Sequence, residues 1–420
     1  MRSRQRVLKA FEHRQPDAVP IDFSGHRSSG IAALAYADLR RRLGLPPRLV
    51  RVYDPIQQLA IVDEDVCERF GVDTVEMGRG FSHAASDWQE WTLPDGTPCL
   101  MPSWVRLERE PSQWVMKSAA GTVLGRMPDG ALYFEQVNYP YLETDDLSGL
   151  TRAQEECMWS SSVTAAPPGP AGAGPDGARR LAQGAAALRG STPRAIIGLF
   201  GGNLLEMGQF LYRNDSFFLL LAGEPARAEA FLDAVVERHL AALRAFLAAV
   251  GDFIDIIVFG DDLGMQTGPQ ISPSMYREIF KPRHKLLWET AKTLAPAGRG
   301  GERDRPPLRV MLHSCGSIRS LLPDLIDAGL DAVNPVQTST AGMEATGLKR
   351  DFGKDIVFWG GGCDTQTVLR SGTPAEVRAH VRAQVDAMSL DGGFVFQQVH
   401  NILAGVPAAN IEAMFDAVRH

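Results

Sequence analysis

Three residues of this chain carry side chains that bind zinc readily, and they lie in two glycine-containing runs. His313 and Cys315 belong to the run HSCGS, and Cys363 belongs to the run GGGCD. Residues two apart on an extended chain point to one face, so His313 and Cys315 can meet the same ion. One imidazole and two thiols match the ligand preference of Zn²⁺, and three protein ligands leave a fourth position for a substrate. These residue types therefore predict a zinc centre that is open for chemistry.

The remaining cysteines are interpreted differently. Cys67, Cys99 and Cys157 are expected to be small buried hydrophobic residues, which is the commoner state of a lone cysteine. For Cys315 and Cys363, the neighbouring glycines and the position just after an apolar run favour metal binding instead.

A further group of polar residues, most of them placed after apolar runs, could act on a substrate. Asp261 and Asp262 could hold a substrate or transfer a proton, but an aspartate at a strand end can also cap the next helix. His400 is the third candidate catalytic residue, with a hydrogen-bonded structural histidine as its alternative. The candidate substrate-binding residues are His26, Asn203, Gln266, Gln337 and Asn401. The candidates for a fourth, oxygen ligand of the ion are Glu76, Glu206 and Gln337.

These residues need a scaffold that brings them together, and eight short apolar runs predict one. Most runs are continuous rather than alternating, as in parallel strands that are covered on both faces. The predicted strands are Val19–Phe23, Asp73–Met77, Ala195–Phe200, Phe253–Phe259, Arg309–Leu312, Ala332–Val336, Ile356–Trp359 and Phe394–Val399. From the third strand onward, a helical pattern follows each one. The succession predicts an α/β fold, a (β/α)8 TIM barrel, whose catalytic groups gather at the C-terminal strand ends.

Two segments interrupt this pattern. Residues 84–142 have alternating aromatic segments and two Pro-Asp-Gly turns, which predict a β-hairpin insertion in the N-terminal third of the chain. Residues 160–177, rich in proline, glycine and alanine, predict a flexible loop. We expect residues 1–420 to form a single barrel domain that carries both segments.

Composition argues against several classes of function. The net charge of −7 and the isoelectric point near 5.8 argue against nucleic acid or an anionic membrane as the main partner. No run approaches the roughly 20 apolar residues of a membrane span, and the charged N-terminal segment lacks the apolar core of a signal peptide. Five cysteines in 420 residues are too few for a disulfide scaffold, so we expect a cytoplasmic protein with reduced thiols.

Beyond these residues, the chain resembles the uroporphyrinogen decarboxylase-like superfamily, specifically its zinc-dependent, corrinoid-linked methyltransferase branch. The similar segments are HSCGSIRSLLPDLIDAGLDAVNPVQ, WGGGCDTQTVL, FGDDLGMQTGPQISPSMYREIFKPRHK, GGFVFQQVHNILAGVPAANIEAM and, earlier, YDPIQQLAIVDEDVCERFGVDT. The resemblance implies a TIM barrel in which His313, Cys315 and Cys363 hold the zinc ion. The arginine-rich substrate motif of the metal-free decarboxylases has no counterpart around IDFSGHRSSG.

The resemblance also implies an activity. Methyl would pass between a small methyl ether or thiol and a corrinoid (cobalamin) protein, with zinc as Lewis acid, as in an O-demethylase component. Because the chain has no D-x-H-x-x-G element, we expect the corrinoid on a separate partner protein, and a homodimer would fit the superfamily. One alternative is a decarboxylase, a lyase on the same barrel. Another is a non-catalytic binding protein with a structural zinc closed by four protein ligands.

Overall fold

The computed structural model describes residues 1–144, 146–161, 172, 174–301 and 305–419. Most of the predicted flexible loop at 160–177 therefore lies outside the described residues. The strands are β1 (Val50–Asp54), β2 (Leu59–Ala60), β3 (Thr74–Glu76), β4 (Trp88–Thr92), β5 (Pro98–Pro102), β6 (Arg106–Glu110), β7 (Gln113–Lys117), β8 (Val123–Pro128), β9 (Glu135–Gln136), β10 (Ala195–Gly201), β11 (Ile256–Gly260), β12 (Arg309–His313), β13 (Ala332–Asn334), β14 (Val357–Trp359) and β15 (Phe394–Val395).

The helices mostly follow the strands of the second half of the chain. They are α1 (Ser3–Phe11), α2 (Ala33–Arg42), α3 (Glu64–Phe70), α4 (Leu150–Glu155), α5 (Gly177–Ser191), α6 (Leu205–Tyr212), α7 (Asn214–Gly223), α8 (Pro225–Val250), α9 (Pro273–Met275), α10 (Lys281–Leu294), α11 (Leu322–Asp327), α12 (Ala345–Phe352), α13 (Val368–Ser371), α14 (Pro374–Met388) and α15 (Ala408–Arg419). A π-helical turn joins α9 to α10. Within the described ranges, no helix is both long enough and apolar enough to cross a membrane.

A curled parallel sheet forms the centre of the fold. Its seven strands run in the order β15-β14-β13-β12-β11-β10-β3, so each strand from β10 to β15 pairs with its neighbour along the chain. The sequence predicted these seven strands, because continuous apolar runs separated by helices are typical of a parallel sheet. The result is an α/β fold of TIM-barrel type.

The predicted first strand, Val19–Phe23, is shorter than expected. Only Ile21 forms a bridge, to Phe396, and the flanking backbone bonds reach both edges of the parallel sheet. The Asp22 N–H donates to the Phe396 carbonyl at 2.8 Å, and the Asp73 N–H donates to the Ile21 carbonyl at 2.8 Å. Pro20 has no N–H to offer, and the φ of 62° at Ser24 ends the extended run. This short segment therefore lies between β15 and β3 and connects the two edges.

One end of the sheet interior is filled by α1. Alternate residues of the parallel strands, including Ile197, Val258 and Met311, form an apolar cluster inside the curl. Val7, Ala10 and Phe11 of α1 belong to the same cluster. The amino ends of the strands are therefore covered, and the carboxyl ends remain for a site.

Antiparallel strands occupy the region where an insertion was predicted. Strands β6 to β9 form one meander, and β4 pairs with β5 in a second sheet of order β2-β1-β5-β4. In that second sheet β5 is parallel to β1, which precedes residue 84. The β-rich character of residues 84–142 is thus present, but part of it continues a sheet that begins earlier. That this region is an insertion into the barrel stays a prediction.

Candidate metal centre

His313 ends β12, and its ring is held in one orientation by Asn334 at the end of β13. The Asn334 Nδ2 donates to the Trp359 carbonyl at 2.9 Å and to Gln397 Oε1 at 2.7 Å. Because a backbone carbonyl can only accept, Asn334 must present its Oδ1 to His313 Nδ1, which lies 2.7 Å away. His313 Nδ1 therefore carries the proton, and the lone pair of Nε2 is free to bind a metal.

The free Nε2 of His313 faces a thiol. Cys315 Sγ lies 3.5 Å from this nitrogen, and Ser28 Oγ lies 3.3 Å from it. The His400 ring lies 5.5 Å from the His313 ring, measured between centroids. One ligand atom each from His313, Cys315 and His400 fall within 4.8 Å of one another, a spacing that could hold a metal ion. We call these three residues the metal cluster.

Cys363 lies beside this cluster rather than in it. It is fully buried just after β14, and its Sγ lies 3.8 Å from the Asp364 carbonyl oxygen. Its own carbonyl accepts from the N–H of Val399, the residue before His400, at 2.8 Å. In the described part of the chain, the side-chain grouping thus contains His400 where the sequence prediction has Cys363. Burial raises the pKa of the Cys363 thiol and lowers that of His400 to about 3.

Two glycines explain how Asp262 reaches the metal cluster. A Cβ on Gly264 would lie 2.6 Å from the Cys315 carbonyl oxygen, and one on Gly316 would lie 2.5 Å from the carbonyl carbon of Gly264. Gly316 also has a φ of 81°, a conformation that glycine adopts without strain. The loops after β11 and β12 therefore touch, and the Cys315 N–H donates to Asp262 Oδ1 at 2.8 Å.

The surroundings of Cys315 are acidic. Asp262 Oδ1 also lies 3.7 Å from His313 Nε2. Burial, followed by the charges of Asp262 and Glu206, raises the pKa of the Cys315 thiol well above its usual value. Burial and then Asp262 likewise raise the pKa of Glu206 well above its usual range, while Asn203 Nδ2 donates to Glu206 Oε2 at 2.7 Å. Such a collection of thiol and carboxyl groups favours a bound cation, which would stabilise their anionic forms.

Asp261 does not point to this cluster. Its fully buried carboxylate accepts from the backbone N–H groups of Leu204, Leu205 and Glu206 at 2.9 to 3.2 Å. It also lies 3.2 Å from His284 Nε2. Asp261 thus caps the N-terminus of α6, which precedes it in the chain, whereas the next helix, the one considered from the sequence, is capped by Ser272. Asp261 thereby fixes the start of the helix that carries Glu206.

The predicted substrate-binding residues are spread around the same edge of the sheet. His26 is buried, with Nε2 3.1 Å from Gln397 Oε1 and Nδ1 accepting from the Ser28 N–H, so both ring nitrogens have protein partners. Asn401 Oδ1 accepts from the Gly30 N–H at 2.8 Å.

Gln266 and Gln337 lie on the other side of the cluster. Gln337 Nε2 is 3.5 Å from Gln266 Oε1, and Gln337 Oε1 accepts from the Gly316 N–H at 3.1 Å. Gln266 is exposed and therefore free to meet a substrate. Substrate binding by all five residues stays a prediction.

Sequence reasoning did not identify two residues that shape this site, Gln397 and Ser28. Gln397 Nε2 donates to the Ser28 carbonyl at 2.9 Å, so its Oε1 must accept from Asn334 and His26. A signal existed in the polar pair Gln397-Gln398 at the end of an otherwise apolar strand. No sequence signal marks Ser28.

Comparisons with known proteins agree with this fold. The family model described as Uroporphyrinogen decarboxylase (URO-D) matches residues 197–420, more than half of the chain. A solved structure of a methyltransferase from Methanosarcina mazei is similar, with a TM-score of 0.57 at 17% sequence identity. That alignment covers 100% of this chain and 98% of the other. Among curated proteins, no sequence matches at a significant level. At this identity the structural likeness concerns the fold alone.

Proposed function

Because this chain belongs to the uroporphyrinogen decarboxylase family, we propose that it is a zinc-dependent methyltransferase of that family. The proposed reaction moves a methyl group between a small methyl ether or thiol and a corrinoid on a separate partner protein. The observation that carries the proposal is the unprotonated Nε2 of His313, held toward Cys315 Sγ by Asn334. The methyltransferase from Methanosarcina mazei, which shares the fold, supports the reaction class.

The donor set fits zinc. His313 and Cys315 would supply one imidazole and one thiolate, and either Cys363 or His400 would supply the third ligand. His400 is closer in the present side-chain arrangement, whereas Cys363 follows from the family resemblance. Three ligands of either kind leave one position for the substrate.

A zinc ion in this site would act as Lewis acid, polarising an ether oxygen or favouring the thiolate form of a thiol substrate. In the ether direction, the methyl group leaves its oxygen, and the resulting alkoxide or phenoxide takes up a proton. The carboxyl of Glu206 can supply that proton, since burial and then the charge of Asp262 raise the pKa of Glu206 well above its usual range. Asn203 orients Glu206 for this role through its 2.7 Å hydrogen bond.

The test combines metal analysis with single substitutions. We expect purified wild-type protein to hold stoichiometric zinc, and Cys315→Ser to lose it on dialysis. Comparing Cys363→Ser with His400→Ala identifies the third ligand, because only the true ligand's removal releases zinc. Cys99→Ala, at a buried cysteine of β5, is the matched control.

Activity is then measured as methyl transfer from a methyl ether or a methylated thiol to free cob(I)alamin. We expect transfer with the wild-type protein and none with Cys315→Ser. A wild-type protein without zinc that removes carbon dioxide from a carboxylated substrate would instead establish the decarboxylase alternative. Zinc retained by all three ligand variants would contradict the proposed centre.

A further inference from the structure

A cavity of about 390 Å³ lies beside β3, between the parallel sheet and the sheet that contains β1 and β5. We call it the β3 cavity and define it by the lining residues Ser24, Tyr53, Glu76, Arg79, Trp88 and Trp104. Its volume is within the range of pockets that bind small molecules. Neither the metal cluster nor Cys363 is among the described residues that line it.

Four polar atoms of this lining have no hydrogen-bond partner in the described part of the chain. They are Ser24 Oγ, Tyr53 OH, Glu76 Oε1 and Trp104 Nε1. Each buried polar atom without a partner lowers the free energy of unfolding by about 1 to 3 kcal/mol, so several in one cavity destabilise the folded protein. A ligand that hydrogen-bonds to them would remove that cost.

Of the four residues, Glu76 carries the acidic group. Its side chain is only 7% exposed, and one carboxyl oxygen folds over Gly78, where a Cβ would lie 2.3 Å from Oε2. Oε1 is buried and has no hydrogen-bond partner in the described part of the chain. Burial raises the pKa of Glu76, and the charges of Arg27 and Arg79 oppose that shift. A ligand hydroxyl is well suited to this group, since it can donate to the carboxylate or accept from the neutral acid.

The other lining residues indicate which further chemical groups a ligand of the cavity would carry. Phe81, Trp88 and Trp104 supply aromatic surface, and the Arg51 guanidinium lies 5.6 Å from the centre of the Trp88 ring. Arg79 donates to the Val62 carbonyl but has no carboxylate partner among the described residues. The aromatic walls favour a planar ring, and Arg79 favours a negative group on it.

We propose that the β3 cavity binds a small aromatic molecule that carries both a hydroxyl group and a carboxylate. The hydroxyl group meets Glu76 and Tyr53, the ring packs between the aromatic side chains, and the carboxylate meets Arg79. This site goes beyond the proposed methyl transfer, because none of the residues that define it belongs to the metal cluster.

The probe is 4-hydroxybenzoate, titrated into the full-length protein by calorimetry. We expect saturable binding, with benzoate and phenol each about 10-fold weaker because each lacks one of the two polar groups. Glu76→Gln and Tyr53→Phe should each weaken binding by about 10-fold, which corresponds to one lost hydrogen bond. Glu108→Gln, at an exposed acid of β6, should leave the affinity unchanged.

The same titration with zinc-stripped protein separates this inference from the proposed function. Binding that survives zinc removal and is weakened by the substitutions supports the cavity, whatever the outcome for methyl transfer. Binding that disappears with zinc or in Cys315→Ser would place the probe at the metal cluster and overturn the inference. So would equal affinity in wild type, Glu76→Gln and Tyr53→Phe, or no saturable binding by wild type. Thermal unfolding of each variant shows whether it is folded. If Glu76→Gln does not fold, the affinity of Tyr53→Phe decides the test.

Discussion

The two sides of the barrel mouth differ in how their buried polar atoms are satisfied. At the ends of β12 and β13, His313, Asn334 and Gln397 form an unbroken series of hydrogen bonds. Beside β3, by contrast, Ser24 and Glu76 keep buried oxygen atoms without partners in the described structure. On the first side, which we call the paired side, the hydrogen bonds fix the direction of the His313 ring before a metal ion binds. On the second, unpaired side, only a bound molecule can supply the missing hydrogen-bond partners. Three comparisons between variants test this contrast.

The largest effect is expected on the paired side from Asp261→Ala. The substitution leaves three backbone N–H groups of α6 without their acceptor and removes the carboxylate that lies 3.2 Å from Nε2 of the buried His284. We expect the free energy of unfolding, measured with guanidinium chloride, to fall by about 3 kcal/mol. Asp262→Ala is the control, since its side chain is 32% exposed and should cost much less. If Asp261→Ala abolished activity at unchanged stability, Asp261 would be catalytic, as the sequence allowed.

An intermediate effect is expected from Asn334→Ala. Without Oδ1 to accept from Nδ1, the His313 ring loses both its fixed tautomer and its direction. Loss of such a supporting contact typically weakens metal binding by about 10- to 100-fold, and we expect this in a competition titration with a zinc chelator. Asn138→Ala, at an asparagine that bonds the Glu156 carbonyl, should not change zinc affinity. Equal affinity in both variants would refute the orienting role of Asn334.

The smallest effect compares two buried serines that stand at corresponding positions on the two sides. Ser314 Oγ accepts from the Leu263 N–H at 3.0 Å, whereas Ser24 Oγ has no partner in the described structure. We expect Ser314→Ala to lower the free energy of unfolding of the metal-free protein by about 1 kcal/mol, and Ser24→Ala to leave it nearly unchanged. Equal losses would mean that Ser24 is satisfied after all and that the two sides do not differ.

The sequence predicted the central sheet well, because β3 and β10 to β15 are continuous apolar runs whose partners lie next in the chain. It failed to predict how short the Ile21 segment is, since backbone pairing at Pro20 depends on the strands on either side. The spacing of His313 and Cys315 was enough to place them together. The role of Asp261 was not decided, because capping and catalysis require the same residue type at the same place.

Features that depend on residues far apart in the chain could not be predicted from the sequence. The protonated nitrogen of His313 is set through Asn334 by the Trp359 carbonyl and Gln397, none of which is near it in the chain. The β3 cavity combines Glu76 of the parallel sheet with Tyr53 of a sheet whose strand pairing was not foreseen. Local patterns carry no information about such pairs.

The helix α1 has a consequence for the order of events in the proposed reaction. Phe11 packs 6.1 Å from the Trp359 ring, and Arg4 and Arg6 of α1 pair with Asp255 and Asp73 next to β11 and β3. With that end covered by α1, the carboxyl ends of the strands are the side from which a substrate would reach the metal cluster. If methyl transfer runs from an ether to a corrinoid partner as proposed, the small methyl donor would bind before the bulky partner docks, and the demethylated product would leave after the partner dissociates.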